Sequence, residues 1–362
     1  MKKIIVFLFI LLIPLKVSAI SAETAIVMDQ DSGRVLWSKN ENREKLIAST
    51  TKIMTAIVAI ENGNLSENVK VNKEVLKAYG SNIYIEVGEE INLIDLLYGL
   101  MLRSGNDAAI MIAESVSGDM GNFVKQMNKT AKDIGMDNTK FYNSHGLEEK
   151  NNVGNTSTAY DMALLTRYAM KNETFRKIFS TKNYTAVSSK KTYTWTNKNR
   201  LLSSYEYTTG GKTGFTDLAR RTLVTTASKN GMNLIVVTLN DGNDFADHKA
   251  LYEQYFNSYE VVEVLNPSNF TVDKDNYYKN NELVIKNKFT ITVTGDEKND
   301  IRTEIELEKK TFVRDNERVG TAKVYFKDEL IHEEGIYIDK NSENEDNRSW
   351  WQKFLDFLKF WD

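Results

Sequence analysis

The hydrophobic pattern opens with an unbroken apolar run over residues 4–15, set between Lys2-Lys3 and the small residues Val17-Ser18-Ala19. That order predicts an export signal, because the run is shorter than the ~20 residues that span a bilayer and no stop-transfer pattern follows. Cleavage is expected after Ala19 or Ala22; an uncleaved membrane helix is the competing reading. Two β-prone runs come next, 24–28 and 34–37, separated by the turn residues Asp29-Gln30-Asp31-Ser32-Gly33. Residues 47–60 are largely apolar and free of breakers until Asn62-Gly63, which predicts a buried helix. Asn92, with Asp95 three residues on, is placed to cap a second helix through Leu102; Ser104-Gly105-Asn106 interrupts it before a third apolar run over 108–116.

Around Lys212 the period changes from helical to alternating. Runs 222–226 and 234–239 are β-branched and joined by Lys229-Asn230-Gly231, a hairpin signal, and 245–259 predicts a helix that closes the resulting antiparallel sheet. Asn266-Pro267-Ser268-Asn269 breaks the chain, and 270–338 alternates in short runs such as 289–293 and 319–326, the pattern of a small β domain. Residues 341–347 are acidic and polar, a solvated linker. In 349–362, Trp351, Phe354, Leu355, Leu358 and Trp361 share one helical face opposite Gln352, Lys353, Asp356 and Lys359. Such a helix suits the headgroup boundary of a membrane, or else docking on the β domain or a second copy. The expected divisions are a signal over 1–22, a main domain over 23–263, a β domain over 264–340, a linker over 341–348 and an anchor over 349–362.

Composition narrows the chemistry. The net charge of -3 is spread over mixed positions, which excludes the basic footprint of a nucleic-acid binder. Cysteine is absent, so disulfides, thiolate nucleophiles and cysteine-ligated zinc are excluded as well. Only His145, His248 and His332 are present and no G-x-S-x-G elbow exists, which argues against a Ser-His-Asp site; His145 reads as structural, and no metal or cofactor is expected.

Three short elements remain. Ser49 and Lys52 are three apart, so on a helix the hydroxyl and the amine share a face, and a neutral lysine can activate a serine. Ser104 and Asn106 place a hydroxyl and a carboxamide in one interhelical loop. Lys212-Thr213-Gly214 begins a β run whose edge can offer backbone N–H groups to a developing oxyanion. Singly, each is also an ordinary helix start, turn or strand. A phosphate loop ending in Gly211-Lys212-Thr213 is excluded because Glu206 stands where that motif requires glycine.

Taken in order and context, the three elements resemble the active-site motifs of the low-molecular-mass penicillin-binding proteins, the serine D-alanyl-D-alanine carboxypeptidases. Flanking stretches over 25–40, 48–56, 95–109, 141–146, 157–163 and 210–227 are similar to that family too, and the resemblance covers the whole chain. It implies an α+β fold: a penicillin-binding/β-lactamase-like domain of antiparallel sheet and helical subdomain, then a small all-β domain and an amphipathic C-terminal helix. It implies Ser49 as the nucleophile of an acyl-enzyme, Lys52 as its proton acceptor, Ser104 as a proton relay, Asn106 on the substrate amide, Lys212 as a positive charge and Thr213 on the substrate carboxylate. Gly214 completes the third motif, and the oxyanion hole is implied at the N–H groups of Ser49 and Phe215. The implied partners are peptidoglycan stem peptides, β-lactam antibiotics and a membrane surface at the outer face of the cytoplasmic membrane.

Arg220-Arg221 departs from the family, where a small residue is usual. Because the helix after Asp241 lacks an arginine found in some relatives, Arg221 becomes a candidate for the substrate carboxylate. A class A β-lactamase and a penicillin-binding sensor without turnover are the alternatives; the absence of E-x-x-L-N between Asn106 and Lys212 argues against the lactamase.

Overall fold

A computed structural model describes residues 20–149, 151–273, 277–278, 281–310 and 312–339. The expected linker and amphipathic anchor, and the expected signal up to residue 19, lie outside these described residues.

The chain starts with the hairpin β1 (Thr24–Asp29) and β2 (Val35–Lys39), turned by Gly33 at φ +82°. Ahead of it Ala22 is fully buried, and Lys39 Nζ donates to the carbonyls of Ile20 (3.0 Å) and Ala22 (2.6 Å), so the expected division at 22/23 cuts through a packed segment. After β2 the chain leaves the sheet. The short strand β3 (Lys45–Leu46) leads into a 3-10 turn, Ala48–Thr51, and then α1 (Lys52–Asn62), buried on every side from Lys52 to Ala59. One continuous helix over 47–60 was the sequence expectation. A tertiary contact breaks it, with Ile47 N–H donating to Asn155 O at 3.2 Å, while locally Thr50 Oγ1 donates to Ile47 O at 2.5 Å and Ala48 is held at φ +45°.

The strands β4 (Asn68–Lys70) and β5 (Glu90–Asn92) pair ahead of α2 (Leu93–Arg103), α3 (Asn106–Ser117) and α4 (Met120–Asp133). Asn92 sits at the N-terminus of α2, but its side chain makes no capping bond; Asp95 instead accepts the Tyr184 hydroxyl at 2.6 Å. Strand β6 (Thr156–Ser157) pairs with β3, helices α5 (Ala159–Ala169) and α6 (Glu173–Ser180) follow, and the ribbon β7 (Asn183–Val187) with β8 (Thr192–Thr196) lies against α2. A single turn, α7 (Leu201–Ser204), returns the chain to the sheet.

There β9 (Thr208–Thr216), β10 (Arg220–Lys229) and β11 (Met232–Leu239) complete an antiparallel sheet of order β2-β1-β11-β10-β9. Asn230 (φ +52°) and Gly231 (φ +82°) form the tight turn that Asn-Gly favours. The inner strands carry apolar residues on both faces because both faces are covered. Ile26, Met28, Val224, Ile235 and Val237 join the core with α1 and α5, whereas Val27, Leu223, Leu234 and Val236 join Leu251, Tyr252 and Phe256 of α8 (Asp244–Ser258). β9 is left as an edge strand.

A second unit follows. β12 (Glu260–Leu265) pairs with β14 (Phe289–Val293), beside a four-stranded sheet of β13 (Glu282–Ile285), β15 (Ile301–Leu307), β16 (Arg318–Phe326) and β17 (Glu329–Asp339) in the order β13-β17-β16-β15. Val262, Val264 and Leu265 pack in this unit's own core, so the expected division at 263/264 falls inside β12. Arg34 joins the units: it donates to Thr292 O at 2.7 Å, pairs with Glu297 at 2.6 Å and lies 4.3 Å over the Phe326 ring. Among the described residues no helix is long and apolar enough to cross a membrane.

Candidate active site

Ser49 lies in the 3-10 turn and Lys52 is the first residue of α1, so the i,i+3 spacing brings Lys52 Nζ to 3.0 Å from Ser49 Oγ. The amine is fully buried and also donates to Asn106 Oδ1 at 2.7 Å and His145 O at 2.5 Å. His145 therefore contributes its carbonyl, not its ring. Burial holds the His145 imidazole neutral, with its pKa pushed down to about 3, and its Nδ1 accepts Leu147 N–H at 3.1 Å.

Ser104 ends α2 in the left-handed conformation, φ +63°, which turns the chain sharply enough for α3 to begin at Asn106. The Asn106 amide has one allowed orientation: Nδ2 donates to Tyr79 O at 2.6 Å, so Oδ1 faces Lys52. Lys212, on β9, is buried and donates to Ser104 Oγ at 3.1 Å and Thr213 O at 2.7 Å. β9 runs against the nucleophile turn so closely that a Cβ on Gly214 would stand 2.3 Å from Thr222 Oγ1 and 2.9 Å from Ser49 N. Only glycine allows that approach.

Electrostatics follow from burial of two cations in one site. Desolvation, then the charges of Lys212 and Lys198, hold Lys52 well below the ordinary lysine value, while Asp107 opposes the shift. Desolvation and then Lys198 bring Lys212 down to about 7. In front of Ser49 opens a cleft of about 330 Å³ lined by Ser81, Ser104, Lys198, Thr213, Gly214, Phe215, Arg221 and Phe245. Arg221 stands on its wall, held by Asp244 at 2.6 Å and half-exposed, whereas Arg220 is not part of the lining. Residues of the three expected motifs thus lie around Ser49: Lys52 bonds its hydroxyl, Asn106 bonds Lys52, and Lys212 bonds Ser104.

The family described as D-alanyl-D-alanine carboxypeptidase matches residues 14–243, well over half of the chain. The chain belongs to that family. A second match, to the C-terminal domain of penicillin-binding protein 5, covers residues 259–344 and includes β12. D-alanyl-D-alanine carboxypeptidase DacF of Bacillus subtilis is 34% identical over 300 residues, 79% of this chain and 76% of its own. The enzyme of Streptomyces sp. (strain K15) is 36% identical over 240 residues, 61% of this chain and 81% of its own. Among solved structures, penicillin-binding protein 5 of Haemophilus influenzae aligns with a TM-score of 0.70 at 26% identity, covering 88% of this chain and 97% of that one. Membership makes this chain a serine D-alanyl-D-alanine carboxypeptidase of the low-molecular-mass penicillin-binding class, with the α+β fold that the motifs implied.

Sequence reasoning missed the His145 carbonyl, Lys198, Ser81 and Asp244. None carries a local signal: a carbonyl is common to every residue, and Lys198 reaches the cleft only because its ribbon folds over α2, where Lys198 N–H donates to Leu102 O at 3.0 Å.

Proposed function

We propose that this carboxypeptidase removes the terminal D-alanine from peptidoglycan pentapeptide stems through an acyl-enzyme on Ser49. The observation that carries the assignment of roles is the set of partners around Lys52. Asn106 Oδ1 and His145 O are acceptors only, so a neutral amine spends both N–H groups on them and its lone pair is left for the Ser49 hydroxyl. Burial beside Lys212 favours that neutral form.

Ser49 Oγ then attacks the carbonyl of the penultimate D-alanine as its proton passes to Lys52 Nζ. The N–H groups of Ser49 and Phe215 meet the oxyanion. As the C–N bond breaks, the proton returns through Ser104 to the leaving amine, and D-alanine departs. Water hydrolyses the ester and regenerates Ser49. Asn106 aligns the substrate amide, while Lys212, Thr213 and Arg221 receive the terminal carboxylate; the Arg221 fork, fixed by Asp244, is suited to it. Penicillins acylate the same serine and leave slowly, since no glutamate of the lactamase pattern is present.

The exported chain acts outside the cytoplasm, held at the membrane surface by the amphipathic segment 349–362. The domain assignment proposed with this reading ends the catalytic unit near Tyr259. Released D-alanine from a D-Ala-D-Ala pentapeptide, measured with Ser49→Ala as control, tests the reaction. Acylation without release would support a sensor, and rapid penicillin hydrolysis a lactamase.

A further inference from the structure

Asp107 follows the second motif directly, is 2% exposed, and touches neither Ser49 nor Lys52 by any hydrogen bond or ion pair among the described residues. Its carboxylate is surrounded by backbone N–H groups. Oδ1 accepts Ala108 N–H at 2.9 Å within the first turn of α3, both oxygens lie 3.0 Å from Ile83 N, and Oδ2 accepts Tyr84 N–H at 2.6 Å and Ile85 N–H at 3.3 Å. Three consecutive N–H groups converge on one carboxylate because Tyr84 is held at φ +63°, although its side chain is 72% exposed and gains no burial there. A bulky residue in the left-handed region is strained, and strain persists where surrounding bonds over-determine it.

What the carboxylate holds is the loop that orients Asn106. In that loop Tyr79 O accepts Asn106 Nδ2 at 2.6 Å, Ser81 O accepts Asn106 N–H at 2.7 Å, and Ser81 Oγ accepts Lys198 Nζ at 3.0 Å. Gly80 sits at φ +77°, and a Cβ added there would stand 3.2 Å from Asn106 Nδ2. The sequence of contacts runs from Asp107 to the 83–85 backbone, back along the loop to Tyr79 O, and from there through the Asn106 amide to Lys52 Nζ.

We infer that Asp107 is a positioning residue for catalysis: by winding residues 83–85 around its carboxylate it fixes the loop carbonyl that orients Asn106, and so keeps the Lys52 lone pair directed at Ser49. The inference rests on the reading of Lys52 as the proton acceptor of Ser49. Asp107 has an electrostatic effect besides, since its negative charge favours the Lys52 ammonium whereas Lys212 and Lys198 disfavour it, with the neutral His145 ring alongside.

Asp107→Asn tests both effects in the full chain. Its amide nitrogen must face an N–H donor, so the winding loosens. The kcat for D-alanine release is expected to fall about tenfold to a hundredfold, as for a displacement near 1 Å, with KM within about twofold. The rising limb of the acylation pH profile is expected to move to lower pH, because a charge that favoured the ammonium has gone; a purely structural role would leave that limb in place. Tyr84→Pro keeps the carboxylate but removes the closest donor and, because proline cannot hold φ +63°, unwinds the turn; it should lower kcat similarly without moving the limb. An unchanged kcat in either folded variant, judged by thermal melting, overturns the inference. Loss of activity in Ser49→Ala alongside a normal Asp107→Asn sinks only the positioning role, whereas full activity in Ser49→Ala sinks the underlying reaction.

Discussion

Gly214→Ala is the substitution whose consequence the geometry specifies most closely. A methyl group there would meet Thr222 Oγ1 at 2.3 Å and the Ser49 nitrogen at 2.9 Å, against ordinary contacts near 3.4 Å or more. β9 must therefore withdraw from the nucleophile turn by about 0.5–1 Å, and the withdrawal separates the two N–H groups assigned to the oxyanion. Losing the aim of one such donor costs about 10²–10³ in rate, or roughly 3–4 kcal/mol. Acylation by a fluorescent penicillin and D-alanine release should both fall by that factor. The double variant Gly214→Ala/Thr222→Ala separates folding from chemistry: it removes the 2.3 Å clash but keeps the 2.9 Å one, at the cost of the Thr222 hydroxyl's 3.1 Å bond to Ile47 O. Thermal stability should largely recover while acylation stays slow. If Gly214→Ala acylates within about threefold of the parent, or if the double variant regains full speed, the close approach of β9 to Ser49 is not what builds the oxyanion site.

Lys212, with its pKa near 7, should give kcat/KM a falling limb just above neutral pH, and Lys212→Arg should displace that limb to high pH because arginine stays charged. The same lowered value means that Lys212 by itself adds one proton to the unfolded chain relative to the folded chain between about pH 7 and 10.5, so its contribution to stability should rise with pH across that window, alongside that of Lys52, and Lys212→Met should lessen the rise in urea midpoints. Arg221→Ala is expected to raise KM for a pentapeptide ending in D-Ala-D-Ala about tenfold, as for one lost charged hydrogen bond; an unchanged KM would remove Arg221 from the carboxylate. At the joint between units, burial pushes the Glu297 carboxyl up, but Arg34, the Thr294 N–H and Lys327 outweigh it and bring the value to about 2. Its contribution is therefore present above about pH 4.5 and lost as pH falls toward 2, and Arg34→Gln should weaken the acid dependence of the unfolding midpoint. Edman sequencing of exported protein should begin at Ile20, because Ser21 N–H and Oγ reach Asp247 at 2.6 and 2.8 Å and Ala22 is buried; a start at Glu23 would contradict this.

Most of what the sequence revealed came from local rules. The i,i+3 spacing of Ser49 and Lys52, the break at Ser104-Gly105-Asn106 and the Asn230-Gly231 turn each depend on a few neighbouring residues, and the structure keeps all three. Where distant contacts decide, local reading failed. The apolar run over 47–60 contains no breaker, yet Asn155, more than a hundred residues away, pins Ile47 and turns the serine out of the helix. Asn92 has the composition of a cap without its bond. The His145 carbonyl and Lys198 reach the amine and the cleft through loops and ribbons whose partners lie far along the chain, and the packing of β12 with β14 rests on a pairing that alternation alone does not specify.

The route of the chain through its main sheet has a consequence for export. The polypeptide leaves after β2 at Lys39 and does not re-enter until β9 at Thr208, so on the proposed export route Ser49, Lys52, Ser104 and Asn106 cross the membrane well before Lys212 and before β11, which flanks β1 opposite β2. A chain half-way along that route therefore carries its Ser49 hydroxyl without the wall that completes the pocket, and hydrolytic competence arrives only when the late strands zip onto the early hairpin.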